Sequence, residues 1–373
     1  MKMDKLEDTS QKLLSLAGIK INGKNPWDIR INNEKFHQRV LTRASLGLGE
    51  SYMDGWWDCD KLDEFFFRII RAKIQDRIKK NWALLYKVLL ARALNMQSRK
   101  RAFQIGEKHY DLGNELFNNM LDKRMVYSCG YWKDAHNLDA AQENKLELIC
   151  QKLKLQPGMR LLDIGCGWGS FVKYAAEEYK VKAVGITVSR EQVEFGRTSC
   201  AGLPVEIRFQ DYRDVNEKFD RIVSIGMIEH VGYKNYRTYM RVVRRCLEDD
   251  GLFLLQTIGG NKSVTSVDPW MNRYIFPNSM LPSIKQLGQA MEGLFVMEDW
   301  HNLSADYDRT LVEWYGNLEK HWDKLKLKYD ERFHRMWKYY LLSCAGAFRA
   351  RGNQLWQIIL STNGFIGGYK SVR

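Results

Sequence analysis

Residues 161–170 read Leu-Leu-Asp-Ile-Gly-Cys-Gly-Trp-Gly-Ser, a short apolar run ending in an acidic residue and three alternate glycines. Glycine suits such a turn because the backbone must reverse tightly and let a ligand approach the N-terminus of the following helix. Further apolar runs follow at KAVGITVS (182–189), VEIRFQDY (205–212), FDRIVSIGM (219–227) and GLFLLQTIG (251–259), with helical patterns between them at 173–179, from Arg190, and at 236–247. Strands alternating with helices predict an α/β fold from Met159 onward, built on a doubly wound parallel sheet.

The loop itself narrows the ligand. A dinucleotide site asks for Gly-x-Gly-x-x-Gly and an acidic residue about 20 positions on for the ribose. Here that neighbourhood is Gly185-Ile186-Thr187, which has no carboxylate. Asp163 before the glycines, with Gln210-Asp211-Tyr212 closing the third strand, instead suits a nucleoside without phosphate, and S-adenosylmethionine is such a ligand. A plain structural turn is the competing reading of Asp163, Gly165, Gly167 and Gly169. The order strand, glycines, helix favours the cofactor.

The rest of the sequence divides by pattern. Residues 1–105 are mainly helical and form a small N-terminal domain; 106–155 form a linker and lid; 156–373 form the catalytic domain, with an insertion at 262–335 that is rich in Trp and Tyr and lacks strand periodicity. The 373 residues carry a net charge of +13, and the segment from Arg68 to Lys108 alone contributes twelve Lys/Arg against Asp76 and Glu107. Within it Ile70, Ile74, Ile78, Leu85 and Leu89 recur at helical spacing behind Phe65-Phe66-Phe67. Three readings stay open for this basic amphipathic stretch: a solvated helix face, an RNA-binding surface, or a docking surface for anionic lipid.

Seven cysteines, odd in number and without a CxxC pair, argue against a zinc ribbon or a disulfide framework and for a reducing compartment. No metal site is expected. The opening MKMDKLEDTSQKLL has no apolar h-region, so no export signal is expected. The longest uncharged stretch, 352–369, draws 10 of its 18 residues from Gly, Asn, Gln, Ser and Thr and is no membrane span.

Several longer motifs go beyond a generic methyltransferase: SLGLGESYMDGWWDCD (45–60), GEKHYDLGNELF, YSCGYW, LDIGCGWG, GMIEHVG, VDPWMNRYIFPN, DWHNLSADYDRTL and CAGAFRAR. In this order they resemble the bacterial cyclopropane-fatty-acyl-phospholipid synthases over nearly the whole sequence. The resemblance implies a class I S-adenosylmethionine-dependent methyltransferase (Rossmann-like) domain with a small helical, lipid-binding N-terminal domain. It also implies a bound bicarbonate ion, a homodimer, and methylene addition across a cis double bond of an unsaturated phospholipid. The basic stretch then reads as membrane-facing, with no nucleic acid partner, and the protein as cytoplasmic and peripheral to the inner membrane.

An isolated alkene is a poor nucleophile, so the sulfonium methyl must be held against it and the resulting cation stabilised, in part by aromatic faces. Tyr307, Trp270, Tyr274, Phe276 and Trp300 are candidates, and for all but Tyr307 core packing is the stronger reading. A base must then take a proton from the new methyl group before the ring closes. The resemblance assigns that task to bicarbonate and, by motif match, its cradle to Cys129, Glu229, Ile258 and Tyr307. It carries over Tyr127, Ser128, Gly165, Gly167, Thr187, Gln192 and Asp211 as cofactor contacts.

One position departs from the pattern. Gln256 stands where familiar members carry His; it hydrogen-bonds but cannot titrate, so altered bicarbonate affinity and pH dependence are expected. This keeps open a related C-methyltransferase that acts on acyl groups and stops before ring closure. Cys344 corresponds to a proposed active-site Cys, although methylene transfer has no obvious step for a nucleophilic thiol. A rival from another class is a lipid-binding scaffold that has lost activity; intact Cys129, Glu229, Tyr307 and glycine loop argue against it.

Overall fold

The computed structural model describes residues 3–74 and 113–373, so the basic stretch lies outside the described residues from position 75 to its end. The protein forms two compact units: Met1–Met120 with Asp268–Pro277 and Leu311–Gly352, and Leu121–Val267 with Asn278–Thr310 and Asn353–Arg373. Packing thus groups segments that are distant in sequence, whereas the sequence pattern draws contiguous blocks at 1–105, 106–155 and 156–373.

In the first unit, helices Met3–Ser15, Lys35–Met53 and Leu62–Arg71 accompany a short antiparallel pair, β1 (Arg30–Ile31) and β2 (Trp57–Asp58). Helix Leu62–Arg71 buries Leu62, Phe65 and Phe66. It packs on the long helix Glu331–Arg349, which approaches closely because Gly346 has no Cβ to meet the Asp63 carbonyl. The 45–60 motif is a packing motif: Gly49 lies against the Trp270 indole, Tyr274 Oη donates to Glu50 Oε1 at 3.1 Å, and Glu50 also pairs with Arg43. Arg335 ties the end of the motif to the long helix, donating to Trp57 O and Asp58 Oδ1, each at 2.8 Å.

The second unit is built on β3 (Arg160–Ile164), β4 (Lys182–Thr187), β5 (Val205–Phe209), β6 (Phe219–Ile225), β7 (Leu247–Gly260), β8 (Val296–Asn302) and β9 (Asn353–Ser361). Their order is β5-β4-β3-β6-β7-β9-β8. The first five are parallel and match the five runs read from the sequence; β9 and β8 are antiparallel additions. The sheet is therefore mixed rather than wholly parallel, and the 262–335 segment contains a strand after all. β8 escapes a pattern search because its one buried residue, Asp299, is charged, so no apolar alternation marks it. β9 escapes because Asn353, Gln354 and Gln357 break its apolar run, although all but Asn353 are buried.

Two cores sandwich the sheet. Leu252 and Leu254 of β7 join Leu146, Ile149 and Leu153 of helix Leu138–Leu153 on one face. Phe253 and Leu255 join Tyr239 and Val243 of helix Tyr236–Cys246 on the other. The strand order reverses between β3 and β6, so the crevice beyond their carboxyl ends is where a doubly wound sheet binds its ligand.

Candidate active site

The glycine loop leaves β3 at this switch point. Gly165, Gly167 and Gly169 have φ of 85°, 57° and 87°, a region that disfavours side chains. A Cβ on Gly165 would sit 2.8–2.9 Å from Met227, whereas one on Gly167 would meet nothing within 4 Å, so the open side of the loop is at Gly167. Asp163 is buried, its Oδ1 has no partner, and burial raises its pKa to about 7 against the pull of Lys145. At the end of β4, Thr187 Oγ1 donates to Gln192 Oε1 at 2.6 Å. After β5, Asp211 caps a short turn and is bound at 2.8 Å by both Nε and Nη2 of Arg213. The fold thus gathers Asp163, Gly165, Gly167, Thr187, Gln192 and Asp211 at one end of β3, β4 and β5.

The YSCGYW segment is fixed by groups the sequence reading missed. Gln142 Nε2 donates to Ser128 O at 2.7 Å, and its Oε1 is buried without a partner. Lys145 Nζ donates to Ser128 Oγ at 3.1 Å, and burial lowers this lysine to about 8. Thr310 Oγ1 accepts from Gly130 N at 3.2 Å and from Trp132 Nε1 at 2.9 Å, and donates to Asp306 O at 2.8 Å. That hydroxyl joins the Cys129 segment to helix Ser304–Lys320 one turn from Tyr307. Cys129 is buried, its Sγ 3.7 Å from Thr310 Oγ1, and burial pushes its pKa well above the usual thiol range, so it is a thiol and a weak donor.

Glu229 follows β6 in the single turn Ile228–His230. Its Oε1 accepts from Ile258 N at 2.7 Å, so that amide holds the carboxyl group, and Oε2 is buried without a partner. Burial raises the Glu229 pKa to about 7, which makes its neutral, hydrogen-bond-donating form accessible at physiological pH. Gln256 and Ile258 lie two residues apart on one face of β7. A protonated carboxyl can donate a hydrogen bond, and the unpartnered Glu229 oxygen fits a small anion as its partner.

Cys344 lies in helix Glu331–Arg349 of the first unit, where burial raises it to about 12. Trp270 packs with Tyr339 and Tyr274 at ring distances of 4.5 and 5.6 Å, and Phe276 with Tyr340 at 5.6 Å. Trp300 packs on Trp356 at 5.2 Å. Among the described residues no cluster of His, Cys, Asp and Glu is placed to hold a metal ion. The missed Lys145 and Lys152 did leave a signal: with Leu138, Ala141 and Leu148 they fall on the buried stripe of one helix.

A Rossmann-like sheet with this loop at its switch point is the architecture of S-adenosylmethionine-dependent transferases, and the protein is an enzyme of that class. Residues 97–358 match the family model of mycolic acid cyclopropane synthetase, and the chain belongs to that family. It is 56% identical over 352 residues to the cyclopropane-fatty-acyl-phospholipid synthase of Escherichia coli K12, covering 94% of this chain and 92% of that one. A probable fatty acid methyltransferase of Pseudomonas putida is 36% identical over 67% of each protein. Among solved structures, the cyclopropane synthase MmaA2 from Mycobacterium tuberculosis aligns with a TM-score of 0.63 at 31% identity, over 69% of this chain and 97% of that one. The mycolic acid cyclopropane synthase CmaA1 complexed with SAH and CTAB aligns with the same TM-score and identity, over 68% and 96%.

Proposed function

We propose that the protein converts a cis double bond in the acyl tail of a phospholipid to a cyclopropane ring, with bicarbonate held beside Glu229. The observation that carries this reading is the Glu229 carboxyl, buried, with one oxygen fixed by the Ile258 amide and the other without a hydrogen-bond partner. When bound, S-adenosylmethionine supplies the sulfonium carbon that becomes the bridging methylene, and bicarbonate supplies the base for the proton that must leave.

The protein's own residues position and exclude. The glycine loop and Asp163 form the cofactor end of the site, and Lys145 with Gln142 holds the Ser128 segment against it. Cys129, Glu229, Gln256 and Tyr307 would hold the anion, with Ile258 fixing Glu229. Glu229 in its protonated form donates to an anion, and burial keeps that form populated near neutrality. Burial of these groups also keeps water from competing for a carbocation.

The acyl substrate reaches the site from a membrane surface. No helix among the described residues is long and apolar enough to cross a membrane, so the reading is peripheral attachment at the cytoplasmic leaflet through the basic stretch 68–108. Each Lys or Arg near an anionic bilayer contributes about 1 kcal/mol. A homodimer completes the reading and is carried by the family resemblance alone.

The test mixes the purified protein with S-adenosylmethionine, bicarbonate and vesicles of a cis-monounsaturated anionic phospholipid, with saturated vesicles as control. Gain of one CH₂ with loss of vinyl protons and new upfield ring protons in the NMR spectrum is the expected result. The same mass gain with an alkene retained would instead establish a C-methyltransferase of acyl groups, the second reading that Gln256 keeps in play.

A further inference from the structure

A buried polar row crosses the sheet of the second unit. Lys152, fully buried at the end of helix Leu138–Leu153, places Nζ 2.8 Å from Gln357 Oε1 and 2.9 Å from His301 Nδ1. Gln357 Nε2 in turn donates to Gln256 Oε1 at 2.8 Å. The three sheet residues are direct cross-strand partners, Gln256 opposite Gln357 in the β7–β9 pair and His301 opposite Gln357 in the β8–β9 pair. Around them Leu254, Leu255, Ile358 and Ile359 are buried and apolar. An isolated polar row with a lysine over it is costly unless its members satisfy one another, and here they do.

The direction of the row follows from chemistry. An ammonium group has donors and no acceptor, so Gln357 must turn its carbonyl toward Lys152. Its NH₂ then points to Gln256, which must answer with Oε1. The Gln256 NH₂ is the pole outside the relay, two residues before the Ile258 amide that holds Glu229. At the other end His301 accepts at Nδ1, so it is neutral, and burial beside Lys152 does lower its pKa to about 4. Burial lowers Lys152 to about 7, which leaves the ammonium form populated up to neutral pH.

We infer that Lys152, acting through Gln357, is a positioning residue that makes Gln256 a hydrogen-bond donor to the anion beside Glu229. The inference rests on the anion reading above.

The test titrates ¹³C-bicarbonate into the wild type and into Lys152→Met, Lys152→Arg and Gln357→Leu, with line broadening as the readout. Calorimetry of S-adenosylmethionine binding and steady-state kinetics in bicarbonate accompany it. Losing one hydrogen bond to an anion predicts that Lys152→Met and Gln357→Leu raise the bicarbonate Kd and KM about tenfold. S-adenosylmethionine affinity should be unchanged, and Lys152→Arg, which keeps the donors, should recover part of the loss. Should Lys152→Met fail to fold, Gln357→Leu decides alone. Unchanged bicarbonate Kd and KM in variants that still bind S-adenosylmethionine would overturn the relay and leave the anion site standing. Absence of bicarbonate binding by the wild type would overturn the anion reading and the inference with it.

Discussion

The Ile258 amide donates to Glu229 Oε1 at 2.7 Å while the second oxygen of the same carboxyl group is buried without a partner. A carboxyl group so placed keeps its proton to about pH 7 in the folded protein, against 4.5 as its ordinary value. Between these values the folded state binds a proton that the unfolded state has lost. Its contribution is therefore fully present below about pH 4.5 and is lost as pH rises through 7. Glu229→Gln cannot ionise, so its stability relative to the wild type should rise by on the order of 3 kcal/mol between pH 4.5 and 8. Urea denaturation at the two pH values checks this; parallel curves would show that Glu229 ionises normally.

Thr310 is expected to matter more than its position in a helix suggests. Thr310→Val removes the acceptor for Gly130 N and Trp132 Nε1, both buried. Two orphaned donors should cost about 2–4 kcal/mol, and the loosened Cys129 segment should lower turnover about tenfold. A urea midpoint within error of the wild type would show that this hydroxyl does not hold the segment.

The first two glycines of the loop should separate stability from binding. Gly165→Ala forces a Cβ into Met227 at φ 85° and should lower both thermal stability and S-adenosylmethionine affinity. Gly167→Ala has room, so its stability loss should be only about 1–2 kcal/mol, yet its methyl group enters the open side of the loop and should weaken binding about tenfold or more. Calorimetry with melting curves distinguishes the two, and normal binding by Gly167→Ala would place the cofactor elsewhere.

Gln256→His introduces a titratable ring into the polar row. Its neutral form can still accept from Gln357 Nε2 and donate through the other nitrogen. Burial and Lys152 both disfavour protonation, so a new step should appear in the activity profile below about pH 6.5. A pH profile and bicarbonate dependence identical to the wild type would remove position 256 from the site.

Local pattern carried the reading of the second unit as far as its five parallel strands. β3, β4, β6 and β7 hold contiguous apolar residues, β5 alternates Val205, Ile207 and Phe209 with charges, and the glycine loop marks the switch point, because burial and tight turning are demands met within a few residues. The candidates Cys129, Glu229, Gln256 and Tyr307 were read from long motifs. β8 and β9 were not legible, since Glu298, Asp299 and His301 interrupt the apolar pattern of the first and Gln354 and Gln357 that of the second. Cys344, read from the CAGAFRAR motif, is a partly buried residue of helix Glu331–Arg349 in the first unit.

By itself the sequence determined the α/β class and the glycine loop with the S-adenosylmethionine it suits. Which buried polar groups meet was decided only in three dimensions. Lys152 and His301 are 149 residues apart, Lys152 and Gln357 are 205 apart, and Gln256 and Gln357 are 101 apart. Strand register and one helix face set those pairings, and a lysine reads as a surface residue until the sheet beneath it supplies the carbonyl and the imidazole that accept its protons.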